Sequence, residues 1–99
     1  MCSRQECIER LMQAAPYIRK EFGVESMYLF GSMARGDNNP SSDADICVEM
    51  PPKAFNVIAL KNFLQDLLGI AVDLVRRNSR LDAFLLNEID RDGIKIFTR

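Results

Sequence analysis

With 99 residues and 11.3 kDa, the chain has room for one core and one domain, spanning 1–99, and not for a separate lobe for each of two substrates. A composition of 47% hydrophobic and 27% charged residues excludes disorder, and 13 Lys and Arg against 14 Asp and Glu exclude a broad basic face for nucleic acid while leaving room for a nucleotide ligand. The count of histidines is 0, which removes every imidazole base, so catalysis must rest on carboxylates, metals, lysine or arginine.

Ser3 followed by Glu6 is a capping pattern, and Ile8, Leu11, Ala15, Ile18 and Phe22 recur at helical spacing until Gly23. Pro16 interrupts that helix, which predicts a kink or break near Ala14 and Ala15. Val24 to Phe30 reads as a strand stopped by Gly31, and Ser32 then opens a short helix from Met33 to Arg35. A turn-rich stretch, GDNNPSS, leads to a second strand from Asp43 to Val48. After Pro51 and Pro52, Ala54 to Leu68 is a strongly apolar helix closed by Gly69.

Ile70 to Val75 is the third strand, followed by RRNS, where Ser79 with Asp82 suggests a cap for a last helix, Leu81 to Arg91. Ile94 to Phe97 adds a short edge strand after Gly93. This alternation predicts an α/β or mixed α+β domain, a small mixed sheet packed on helices, with no strand order legible. Cys2, Cys7 and Cys47 are odd in number and form no C-x-x-C pair, so they read as reduced structural thiols. The N-terminal MCSRQEC lacks the apolar stretch of a signal peptide, and no apolar run is long enough to span a bilayer, so the expected location is cytoplasmic, away from membranes.

Side chains alternate across a strand, so Asp43 and Asp45 share one face while Ala44, Ile46 and Val48 share the other. In GIAVDLV, Val72 and Leu74 take the buried face and leave Asp73 opposite. If the two strands are neighbours, three carboxylates converge, and their repulsion calls for a hard divalent cation such as Mg²⁺. Gly31 and Ser32 complement them, with no side chain at Gly31 to block a phosphate and with amides at the start of a short helix that favour an anion. Singly, a Gly-Ser turn or an Asp-x-Asp is most often ordinary loop chemistry. Together, at this spacing, they arise by accident in roughly one chain of this length per thousand.

Gly-Ser, ten residues, Asp-x-Asp and a later strand carboxylate, here GSMARGDNNPSSDAD and VDLV, resemble the minimal nucleotidyltransferases of the polymerase-beta-like superfamily. LFGSMARG, SDADICV and the ending EIDRDGIKIF extend that resemblance over nearly the whole chain. It implies a nucleotidyltransferase fold in which Gly31 and Ser32 hold the phosphates of a nucleoside triphosphate. Asp43 and Asp45 would ligate two Mg²⁺, with Mn²⁺ as the alternative ion, and Asp73 would ligate the catalytic one and help deprotonate the attacking hydroxyl. Arg35 has two readings, a pair with a nearby carboxylate or a contact to triphosphate oxygens. Arg76 and Arg77 read as exposed charge after a strand.

Small members of this group are commonly paired with HEPN-domain toxins, and some are antitoxins that transfer AMP from ATP to a toxin tyrosine. The resemblance therefore implies a magnesium-dependent protein adenylyltransferase acting as an antitoxin. The competing readings are a binding partner that neutralises the toxin by occlusion and a transferase acting on a small molecule such as an antibiotic. Val57, Ile58, Leu60, Phe63, Leu64, Leu67 and Leu68 exceed a single apolar stripe and serve either the core or an interface. Pro16 and the Asn38-Asn39 pair depart from the group's usual pattern.

Overall fold

The computed structural model describes residues 3–36, 43–77 and 83–98; Cys2, the GDNNPSS turn from Asp37 to Ser42 and the Ser79-Asp82 cap lie outside the described residues. The elements run α1 (Arg4–Phe22), β1 (Ser26–Phe30), α2 (Gly31–Arg35), β2 (Ala44–Glu49), α3 (Ala54–Leu68), β3 (Val72–Arg76), α4 (Ala83–Asp92) and β4 (Ile94–Phe97). Ser3 caps α1 as expected, its oxygen accepting from the Glu6 amide at 3.2 Å.

Of the kink or break expected at Pro16, the break does not occur: Arg4–Phe22 is one helix. Pro16 and Met12 are both exposed on the helix surface. Cys7 and Leu11 before the proline and Ile18 after it are fully buried in the same core, which pins both halves of the helix. Burial of each large side chain contributes about 1.5–3 kcal/mol.

The strands pair in the order β3-β2-β1-β4, so the last strand sits at an edge, as its shortness suggested. β1 is antiparallel to β2 and to β4, whereas β2 and β3 run parallel. The parallel pair needs a crossover, and α3 supplies it, between two buried faces of apolar side chains. Met27 and Leu29 of β1, Ala44, Ile46 and Val48 of β2 and Val72 of β3 form one sheet face, covered by Leu11 and Ile18 of α1 and by Leu60, Leu64 and Leu68 of α3.

The opposite face, which carries the aspartates, is partly roofed as well. Ile89 of α4 is buried against Phe30 and Cys47, with Tyr28 and Val75 packed around them. Burial pushes the Cys47 thiol up to about 11, in keeping with a structural, unreactive role. In α3, Val57, Phe63 and Leu67 pack against the core, so core packing accounts for most of its wide apolar coverage, while Ile58 and Phe55 remain exposed. Among the described residues no helix is long and apolar enough to cross a membrane.

Candidate active site

β2 and β3 place Asp45 directly beside Asp73 in parallel register, on the face away from the main core. Across the other ladder Asp45 stands opposite Phe30, the last residue of β1, and the chain turns at Gly31 immediately after it. A β-carbon on Gly31 would lie 2.1 Å from Asp45 Oδ2 and 3.0 Å from its Cγ. The Asp45 carboxylate thus occupies the space that any side chain at Gly31 would take. Gly31 also has φ +74, a left-handed conformation that favours glycine. Ser32 follows in the first turn of α2, and its carbonyl accepts from the Gly36 amide at 2.9 Å. At the other side of α2, Arg4 Nε donates to the Ala34 carbonyl at 3.1 Å, so α1 helps fix this short helix.

Asp43 is exposed and stands one residue before β2, within electrostatic reach of Asp45. Burial, and then the charges of Asp73, Asp43 and Glu88, push the Asp45 carboxyl from 3.8 up to about 6, with the Arg35 guanidinium opposing them. The expected convergence is therefore realised as an Asp45-Asp73 pair with Asp43 at its rim. Among the described residues no three Asp, Glu, Cys or His side chains are already gathered to hold an ion. The donors suit a hard divalent cation, being all oxygen, and a cation there would offset the burial and the repulsion that raise the Asp45 carboxyl.

That repulsion has a measurable sign. An acid whose folded pKa lies above its unfolded value costs stability when ionised; for Asp45 the cost is absent below 3.8 and complete above about 6. In chelator-treated protein, melting temperature is expected to fall between pH 4 and pH 7 through this group. Asp45→Asn should flatten that segment of the profile. An Asp45-dependent stability that rises with pH would contradict the assignment.

Arg35, at the end of α2, pairs with Glu88 of α4, Nη1 to Oε1 at 3.1 Å. This realises its first reading and leaves the guanidinium at the mouth of the site. Arg77 reaches Asp90 of α4 at 3.8 Å, and its amide donates to the Val48 carbonyl at 2.7 Å, so it ties the end of β3 to β2 and α4 rather than entering the site.

The family model for the nucleotidyltransferase domain matches residues 11–98. The chain belongs to the nucleotidyltransferase domain family. MJ1217 of Methanocaldococcus jannaschii, to which protein adenylyltransferase activity is attributed, is 35% identical over 98 residues, covering 97% of this chain and 100% of that protein. A solved structure assigned as a minimal nucleotidyltransferase superposes with TM-score 0.78 and 27% identity, covering 95% of this chain and 96% of the other. A chain from the complex of a tri-AMPylated Shewanella oneidensis HEPN toxin with its MNT antitoxin has TM-score 0.66 and 20% identity, covering 93% of this chain and 73% of its own length; it shares the fold.

The protein is thus an enzyme, a nucleotidyltransferase of the minimal type, with the mixed sheet and helices of that fold. The Gly31-Ser32 turn and the carboxylates Asp45 and Asp73 meet at one end of this sheet. The residue that sequence reasoning missed is Glu88. It lies inside the EIDRDGIKIF stretch, but only the packing of α4 over the aspartate face brings it, 53 positions later, to Arg35.

Proposed function

We propose that this nucleotidyltransferase transfers AMP from ATP to a tyrosine hydroxyl of a HEPN-domain toxin and acts as its antitoxin, with Asp43, Asp45 and Asp73 holding two Mg²⁺. The observation that carries this reading is the Asp45 carboxylate lying against the bare α-carbon of Gly31 while facing Asp73 across the parallel ladder. It joins a turn suited to phosphate with carboxylates suited to a cation at one point. The activity attributed to MJ1217 supports adenylyl transfer, and the Shewanella complex supports a HEPN partner.

Gly31 and Ser32 bind the triphosphate and Arg35 reaches its oxygens, which orients the α-phosphorus toward the acceptor. Bound Mg²⁺ supplies neutralisation of the clustered negative charge and Lewis acidity at the α-phosphate. Asp73 takes the proton of the attacking hydroxyl on a carboxylate oxygen. The new bond joins the acceptor oxygen to the α-phosphorus, the bond from that phosphorus to the bridging oxygen breaks, and pyrophosphate leaves.

The test is the intact mass of a co-expressed HEPN partner, with and without Asp43→Asn plus Asp45→Asn. The expected result is one or more added AMP masses with the wild type and none with the double variant. A toxin neutralised without any mass change, equally well by both proteins, would replace transfer by occlusion.

A further inference from the structure

Glu88 is one turn before the C-terminal end of the helix that roofs the aspartate face, and it is only 21% exposed in its pair with Arg35. Its neighbour Ile89 is buried against Phe30 and Cys47, which fixes the rotation of α4 and with it the direction of Glu88. Phe30 directly precedes Gly31, so the same contact that sets α4 also sets the start of the phosphate turn.

A pair of this exposure contributes little to stability. The pair is therefore better accounted for by a role in holding Arg35. A guanidinium carries five N–H donors in a planar fork, so one edge can rest on a carboxylate while the group still serves phosphate oxygens.

We infer that Glu88 is a positioning residue for the nucleotide: its carboxylate holds the Arg35 guanidinium beside the Gly31-Ser32 turn, where it meets the triphosphate. The inference rests on reading that turn as the nucleotide site, and its prediction is specific to the phosphate chain. Without Glu88 the guanidinium loses one of its anchors, and more of its ordering must then be done by the ligand.

The experiment is calorimetric titration with Mg²⁺ and a non-hydrolysable ATP analogue, and in parallel with AMP, for wild type, Glu88→Ala, Glu88→Gln, Arg35→Ala and the double variant. Glu88→Ala is expected to weaken the ATP analogue about tenfold and AMP less than twofold. Glu88→Gln keeps an acceptor oxygen and should fall between Glu88→Ala and wild type. Removing Glu88 in the Arg35→Ala background should cost nothing further. Unchanged affinity for the analogue, equal losses for analogue and AMP, or additive losses in the double variant would overturn the inference. Wild-type protein that binds neither ligand would overturn the nucleotide site itself, and the positioning role with it. Melting temperatures close to wild type separate these outcomes from misfolding.

Discussion

Asp45→Asn is expected to lower AMP transfer by roughly 10³-fold or more, while leaving the unliganded fold at least as stable as wild type. Loss of a group that merely supports a metal ligand typically costs roughly 10–100-fold. Asp45 is placed to be a ligand itself, beside Asp73 and against Gly31, so its loss should cost more. Stability moves the other way because the ionised carboxyl is partly buried and repelled by Asp73, Asp43 and Glu88. An amide of the same shape escapes that repulsion. The measurement is transfer of label from ATP in the presence of Mg²⁺ and the HEPN partner, together with a melting curve without the cation. Retained transfer, or a marked loss of stability at pH 7, would show that Asp45 serves the fold instead.

The second large effect is expected at Gly31→Ala. The added β-carbon would stand 2.1 Å from Asp45 Oδ2, so the carboxylate has to move, and a non-glycine residue at φ +74 carries backbone strain of about 1–3 kcal/mol. Displacement of a reacting group by about 1 Å can cost roughly 10²-fold, and a loss of at least that size is expected here. Gly69→Ala is the matching control. Gly69 has φ +72, but a β-carbon there meets nothing within 4 Å. Both variants should lose stability through the backbone, and only Gly31→Ala should lose activity. Equal activity losses would mean that the contact with Asp45 has no catalytic weight.

These expectations depend on a site that was only partly legible beforehand. α3 was readable to the residue from its two prolines, its apolar spacing and Gly69, because each of those signals acts locally. β1 was drawn two residues too long and α2 two residues too short, since Val24 and Glu25 approach the sheet and Gly31 already has a helical role in the turn. Glu25 still donates its amide to the Glu49 carbonyl at 2.7 Å, so a boundary there is a matter of degree. The helix does not break at Pro16 because Cys7 and Leu11 before it and Ile18 after it are buried in one core, which tertiary packing decides and local sequence does not.

By itself the amino-acid sequence determined the alternation of helices and strands, the two faces of each strand and the motif that pairs Gly31-Ser32 with Asp43 and Asp45. Those properties follow from backbone geometry and side-chain period, which operate over a few residues. Tertiary structure decided that β3 lies parallel beside β2, which sets Asp73 next to Asp45, and that α4 covers the aspartate face and brings Glu88 to Arg35. Strand order and helix docking are chosen by the joint burial of Ile46, Leu60, Leu64 and Ile89 with partners far along the chain, and such contacts leave no periodic mark on the sequence around any one of them.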